Sequence, residues 1–310
     1  MTGALGALAQ LSERLGRCPD LDTLVSTALR GIADLFGYEH AFLLLRDEDG
    51  SRLFTIASHG YDTEGVGSEV RVGEGVIGMV AARAEPMRIG NLGRMLAYAR
   101  SVRRAYEQEG GEAPGREIPL PGLPAAESQL AVPAIVLGQL VGVLVVESDR
   151  PVAFTADDQA LLTVVGALVA SAIEIESALE RCGTDASASL DVPAAAATRA
   201  PAAMRTTRVR FFPVDGSTFV DGDYLIKGVA GRILWSLLEQ HEREGRVEFT
   251  NREVRLDPSL ELPEFRDNLE SRLILLKRRL DERDAPMRIE KTGRGRFRLM
   301  IETHLALEQA

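Results

Sequence analysis

A chain of 310 residues is long enough for two domains, each able to bury a core of its own. Residues 1–204 hold 16 Arg, no Lys and 27 acidic residues, whereas residues 205–310 hold 20 basic and 19 acidic residues. The first part therefore carries a net charge of −11 and is expected to repel nucleic acid. Only the second part, at +1, has a charge balance compatible with DNA binding.

We predict a cytoplasmic protein. The opening stretch MTGALGALAQLSERLG has neither a basic start nor a cleavage-like site, so no secretory signal is expected. The most apolar helical stretch, Ala160–Ile175, is expected to be too short for a bilayer span, and no membrane partner is predicted. Cys18 and Cys182 fit no zinc or redox spacing.

The first half of the chain predicts helices and short strands in alternation. Apolar spacing indicates helices over Ala4–Gly16 and Asp20–Phe36, the second ended by Gly37. Strands and a small helix follow, then a Gly- and Pro-rich loop over Glu109–Ala126. The strands are predicted over His40–Arg46, Ser51–Ser58, Glu69–Val72 and Pro86–Ile89, and the helices over Gly73–Ala84 and Leu92–Glu107.

The chain is organised around Ser128–Asp149, which predicts a β-hairpin with its turn at Gly138-Gln139. Both arms are almost wholly apolar, as expected of central strands that are covered on both faces. Pro133 should lie at a bulge or at a position open on one side, because it cannot donate to a ladder. Gly142 is expected where another group packs close.

A long helix should follow the hairpin. Thr155-Ala156-Asp157-Asp158 resembles a capping box with an acid in the last position, and apolar residues at helical spacing continue to about Arg181. Two or three strands, a small helix, two more strands and a long closing helix make one α+β domain.

Residues 1–182 resemble a GAF domain. The resemblance is carried by LDTLVSTALRGIADLFG, GEGVIGMVAARAEPMRIGNL, LAVPAIVLGQLVGVLVVES and FTADDQALLTVVGALVASAIE. It implies a central antiparallel sheet with flanking helices, and a sensory pocket for an unknown small-molecule ligand between the sheet and the GEGVIG helix. The implied ligand-binding residues are Ala57, His59, Gly75, Val76, Met79, Arg88, Leu130 and Val132.

Within that set, Arg88 is the one charge able to clamp an anion, unless it only forms a surface salt bridge. The Asn-Lys-Phe-Asp-Glu signature of cyclic-nucleotide-binding members is absent, since no lysine precedes Lys227. Bilin binding and sulfoxide reduction need cysteines inside the domain, so neither is expected. His40 and His59 lack a metal-binding cluster. No nucleophile–base pattern or phosphate loop occurs, so we predict no catalytic residues, no enzyme activity, no metal and no cofactor.

Residues 183–205 have no periodicity and predict a flexible linker to a second domain, residues 206–310. That domain predicts two small strands, helix Gly228–Glu242, a short helix behind the capping box Thr250–Glu253, a long helix over Pro263–Arg283 and a hairpin around Gly293–Gly295. About residues 206–303, through NLESRLILLKRRLDE and MRIEKTGRGRFRLM, resemble the OmpR-like winged helices of response regulators.

The resemblance implies contacts with double-stranded DNA. On a helical wheel of the long helix, the core face is formed by Phe265, Leu269, Leu273, Leu276 and Leu280. The other side would meet bases or phosphates, and the hairpin tip would reach the adjacent backbone. The implied DNA-binding residues are Asn268, Ser271, Arg272, Arg278 and Arg279 on the helix and Arg294 and Arg296 on the hairpin.

The sequence therefore predicts a one-component transcriptional regulator, in which the first domain senses a signal and the second domain binds DNA. The regulator is expected to be a homodimer that forms through the outer helices of the first domain. One departure from the family is Ile274-Leu275, where basic residues are usual, and the helical wheel places Leu275 on the outward side. The alternative is a protein–protein adaptor that uses these two residues as an apolar patch and does not bind DNA. A third possibility is a GAF fold kept only for dimerisation.

Overall fold

The computed structural model of the chain describes residues 2–47, 49–92, 118–183, 206–260, 262 and 269–310. They form two compact units, a front unit of residues 1–175 and a back unit of residues 176–310. Most of the predicted helix 92–107, most of the predicted linker 183–205, and residues 263–268 of the predicted long helix, Asn268 included, lie outside the described residues.

Two packed helices open the front unit, α1 (Thr2–Leu15) and α2 (Leu21–Phe36). The Asp20 side chain caps α2 by accepting the Thr23 N–H at 2.8 Å, and Gly37 ends it in the left-handed region at φ 75°. A Cβ atom on Gly31 would lie 2.4 Å from Leu11 Cδ1, so this glycine lets α1 lie against α2.

The described part of the front unit contains one six-stranded sheet with the strand order β3-β2-β1-β6-β5-β4. All five pairings are antiparallel. The central strands β1, β6 and β5 are apolar on both faces because helices cover them on both sides. The strand bounds are β1 His40–Arg46, β2 Arg52–His59, β3 Glu69–Arg71, β4 Met87–Ile89, β5 Ser128–Val136 and β6 Gln139–Ser148.

The hairpin β5–β6 carries the two special residues where they were expected. Pro133 lies just before an irregularity in the pairing at Ala134/Ile135. It also lies beyond Ala131, the last residue of β5 that pairs with β4, so its missing N–H removes no hydrogen bond between β5 and β4. A Cβ atom on Gly142 would lie 2.1 Å from the Leu44 carbonyl oxygen of β1. The predicted close approach at Gly142 is confirmed.

The register separates the two faces of this sheet. Phe42, Leu44 and Val145 point to the face that carries the short helix α3 (Gly75–Arg83). We call this the α3 face. The opposite face carries α4 (Ala156–Gly183), whose Gly166 lies in contact with Val132 of β5.

Helix α4 begins as predicted. The Thr155 hydroxyl accepts the Asp158 N–H at 3.2 Å, and Asp158 Oδ2 accepts the Thr155 N–H at 2.7 Å. Among the described residues, Ala156–Leu179 is the one helix long and apolar enough to cross a membrane by length and composition. The prediction of a run too short for a bilayer was therefore wrong. The fully or almost fully buried side chains on α4 are Leu162, Val165, Val169, Ala170 and Ile173.

The back unit contains two sheets among its described residues, with the orders β13-β7-β8-β9 and β10-β12-β11. The capping box at Thr250 and Glu253 is present as predicted. The helices are α5 (Gly228–Glu244), α6 (Asn251–Leu256), a 3-10 turn (Pro258–Leu260) and α7 (Leu269–Glu282). The strands are β7 Thr206–Phe212, β8 Ser217–Val220, β9 Asp223–Ile226, β10 Glu248–Thr250, β11 Met287–Gly293, β12 Arg296–Ile301 and β13 His304–Gln309.

Candidate functional site

Helix α3 lies tightly on the sheet. A Cβ atom on Gly78 would lie 2.2 Å from the Arg71 carbonyl oxygen of β3, so glycine permits this close approach. Ile77, Val80 and Ala81 are buried against the α3 face together with Phe42 and the central strands. This end of the α3 face is an apolar layer.

Polar side chains gather at the other end of the same face. His40 of β1 lies opposite Glu147 of β6, and Glu147 lies opposite Gln129 of β5. Residues that pair directly across antiparallel strands share a face. The three side chains therefore stand in a row across three strands, and Tyr61, just after β2, joins them. We call these four residues the polar cluster.

Glu147 is the centre of the polar cluster. Its Oε2 accepts the Leu123 N–H at 3.0 Å and the Tyr61 hydroxyl at 3.3 Å, and its Oε1 accepts from Gln129 Nε2 at 2.9 Å. The residue is only 6% exposed. Burial raises the pKa of Glu147, and the donors Leu123 N–H, Gln129 and Tyr61, together with nearby His40, act in the opposite direction. Burial also raises the pKa of Tyr61.

Glu147→Gln should make the chain relatively more stable as the pH rises. A carboxyl whose pKa in the folded state is raised contributes stability that is complete below its ordinary value of 4.5 and is lost at higher pH. Glutamine does not titrate, so its contribution to stability does not change with pH. The difference in unfolding free energy, variant minus parent, should therefore grow between about pH 4 and pH 7 in urea denaturation. A pH-independent difference would contradict the raised pKa.

A short segment lies next to the polar cluster. Residues 118–126, which we call the strap, are anchored by the bond from Leu123 N–H to Glu147. A Cβ atom on Gly65 would lie 2.6 Å from Pro121 Cδ, so the strap also packs closely on the loop after β2. Pro121 and Ala126 are buried. The carboxylate thus ties the strap to the sheet.

The comparisons with known proteins concern the front unit. A model of the GAF domain matches residues 18–174, half of the chain. The chain belongs to the GAF domain family. No curated protein matches its sequence.

Solved GAF structures resemble the chain at low identity. The GAF domain of a phosphoenolpyruvate-protein phosphotransferase from Acinetobacter is 23% identical over 56% of this chain and 95% of its own, with a TM-score of 0.44. That of Coxiella burnetii is 19% identical over 59% and 98%, with a TM-score of 0.46. Free methionine-R-sulfoxide reductase from Neisseria meningitidis is 16% identical over 56% and 90%, with a TM-score of 0.44.

The GAF fold does not bring the eight predicted ligand-binding residues together. Gly75, Val76 and Met79 lie on α3. The register places the other five on the α4 face, because each pairs with a residue that points away from α3. These five cannot line a pocket on the α3 face, and ligand binding by any of the eight stays a prediction. They are Ala57, His59, Arg88, Leu130 and Val132.

The residues of the polar cluster were missed as a group. Their signal in the sequence is weak but specific. Gln129 and Glu147 are the polar residues at the outer ends of two apolar arms, and a hairpin turn between them places them opposite each other. The part of the chain that the structure describes holds no group of three or more His, Cys, Asp or Glu arranged to hold a metal ion.

The predicted DNA-binding face of α7 is not exposed. Ser271, Arg272 and Arg279 are buried, with Arg272 9% and Arg279 6% exposed, and Arg278 is half-buried. Arg279 donates to the Leu225 carbonyl at 2.8 Å and to Glu282 at 2.6 Å. The expectation of an outward face was therefore wrong, since a wheel of one helix cannot show what packs on its other side.

The hairpin β11–β12 presents exposed positive charge. Residues 286–300 hold five basic residues and Glu290 as the single acid, a net charge of +4. Arg288, Lys291, Arg294 and Arg296 are exposed. Lys291 also donates to Glu270 of α7 at 2.6 Å. Arg294 donates to Glu176 at 3.3 Å and is otherwise exposed, and Arg296 is exposed, so both predicted hairpin arginines present surface to a ligand.

Proposed function

We propose that the chain is a one-component transcriptional regulator, in which the GAF domain senses a small molecule and the back unit binds double-stranded DNA. Sensing is the role that GAF domains commonly have. The proposal for the back unit is carried by one observation, the exposed basic hairpin that follows α7. The element order α5, β10, α6, α7, β11, β12, with β10 pairing on the hairpin, is the order of a winged helix.

The burial of the outer face of α7 decides which basic residues can contact DNA in this proposal. Arg272 and Arg279 cannot reach base edges in the described conformation, so the hairpin arginines are the groups available for phosphate. Base reading by α7 would need a second conformation in which its outer face is accessible. A sensor that shifts the population between two such conformations would regulate DNA binding.

The adaptor alternative loses its supporting observation. It depends on Ile274 and Leu275 as an exposed apolar patch, and these residues are 4% and 3% exposed. The expectation that Leu275 points outward was wrong. Loss of DNA binding nevertheless remains an outcome of the test below.

The full chain should bind fluorescently labelled genomic DNA fragments at low salt, with an affinity that falls steeply as salt is added. Each phosphate neutralised contributes about −0.9 to the slope of log affinity against log salt, so three hairpin contacts predict a slope of roughly −3. Fluorescence anisotropy between about 25 and 300 mM salt measures it. No binding at the lowest salt would overturn the proposal.

We propose further that the chain is a homodimer through the outer surface of the GAF helices. Val164 and Ile175 on α4 are 47% and 60% exposed and Leu5 on α1 is 74% exposed, which leaves apolar surface for a second copy. Light scattering of the full chain should give the mass of two chains. Val164→Glu with Ile175→Glu should give one, whereas Val214→Glu, at a residue 99% exposed outside these helices, should not change the mass. A parent monomer at tens of micromolar contradicts this.

A further inference from the structure

From the polar cluster we infer that the GAF domain binds a small primary amine with an apolar tail, in its ammonium form, at Glu147, and that this ligand displaces the strap. The inference rests on the proposed sensing function and names the chemical class of the ligand. Three observations carry it: a buried carboxylate, the aromatic rings beside it and the strap bond that a ligand would replace.

The first observation is that Glu147 has no lysine or arginine partner among the described residues, while His40 lies nearby. Glu147 is buried, and its hydrogen-bond partners among the described residues are an amide N–H, a glutamine amide and a phenol. No described lysine or arginine forms an ion pair with it. Buried carboxylates are ordinarily paired with a cation, because removing the charge from water is costly. An ammonium group would supply that charge.

The second observation is the set of rings beside the carboxylate. The Tyr61 ring centre lies 5.4 Å from that of His40 and 5.8 Å from that of Phe42, with interplanar angles of 65° and 76°. Aromatic faces next to a carboxylate attract ammonium groups by cation–π interactions. Ala131 and Val145, next on the same face, are fully buried apolar side chains of the core under α3. A cationic head with an apolar tail therefore matches both parts of this site.

The third observation is that one bond to Glu147 comes from the strap. Leu123 N–H donates to Oε2 at 3.0 Å. An ammonium N–H donates to a carboxylate more strongly than a neutral amide does. A bound amine would therefore take the place of Leu123 N–H on Oε2 and release the middle of the strap. Ligand binding would in this way change the conformation of the strap.

The test uses the full chain and a matched panel of probes. Four skeletons (methyl, butyl, cyclohexyl and phenylethyl) are each presented as amine, alcohol and carboxylate, and binding is measured by titration calorimetry. At least one amine should bind about tenfold more tightly than its alcohol and its carboxylate. Glu147→Gln should remove the preference, whereas Glu39→Gln, the same charge change at an exposed neighbour of His40, should keep it.

Hydrogen exchange supplies the second measurement. The best amine should accelerate exchange of the Leu123 amide, whereas binding elsewhere would leave it unchanged or protect it. If no amine binds more tightly than its matched alcohol, or if Leu123 is protected, the inference is overturned. A preference for carboxylates would reject the ligand class and leave small-molecule sensing intact. DNA binding by the back unit is measured separately and does not depend on either result.

Discussion

Gly142→Ala should destabilise the front unit by about 3 kcal/mol or more. Gly142 lies on β6 opposite Leu45 of β1, between strands that are both internal to the sheet. The new Cβ atom would lie 2.1 Å from the Leu44 carbonyl oxygen and 3.2 Å from the Leu45 Cα atom. Backbone atoms cannot rotate away as a side chain can, so the two strands would have to separate.

Urea denaturation of the full chain, followed by circular dichroism, measures this effect. Gly6→Ala is the matched control, because nothing lies within 4 Å of a Cβ atom there and Gly6 lies in helix α1. Alanine is favoured over glycine in a helix by about 0.5–1 kcal/mol, so the control should be neutral or slightly stabilising. If Gly142→Ala is as stable as the parent, the register between β1 and β6 is wrong.

Arg294→Ala with Arg296→Ala should weaken DNA binding to all sequences alike, by roughly 10- to 100-fold near 100 mM salt. Both arginines are exposed on the basic hairpin, where their guanidinium groups are available to phosphate oxygens. Losing two phosphate contacts should reduce the salt slope by about 1.8. Equal weakening on every fragment is expected because phosphate contacts carry no sequence information.

The matched control removes the same charge elsewhere. Arg83 on α3 and Arg243 on α5 are exposed and lie outside the hairpin. Arg83→Ala with Arg243→Ala should leave the slope and the affinity nearly unchanged. If the control weakens binding as much as the hairpin variant does, the affinity depends only on the net charge of the protein, and the hairpin is not the surface that contacts DNA.

The sequence predicted the elements of the GAF domain well because its turns and caps are local. Asp20, Gly37 and Thr155 act on residues within one turn of themselves, and the hairpin around Gly138 pairs neighbours in the chain. Three strands of the back unit were missed for the opposite reason. Strand β10 has three residues, β9 has four, and β13 pairs in parallel with β7 from about a hundred residues away.

The candidate site was harder to predict because it depends on which face each strand residue takes. Strand β5 is buried along almost its whole length, so no alternation distinguishes its two faces. The irregularity at Leu43/Leu44 between β1 and β2 also shifts the pairing of β2 by one residue. A one-residue shift moves every side chain to the other face. This places Ala57 and His59 on the α4 face.

Sequencing the DNA that the purified full chain retains tests the central claim most directly. Randomised duplexes would be bound at low salt, washed at rising salt and sequenced over successive rounds. A DNA-binding dimer that also populates the conformation with an accessible outer face of α7 predicts progressive enrichment of a recurring sequence, with two copies about one or two helical turns apart. Retained DNA with no enriched sequence after several rounds, or no retained DNA, would contradict regulation of specific promoters by this chain.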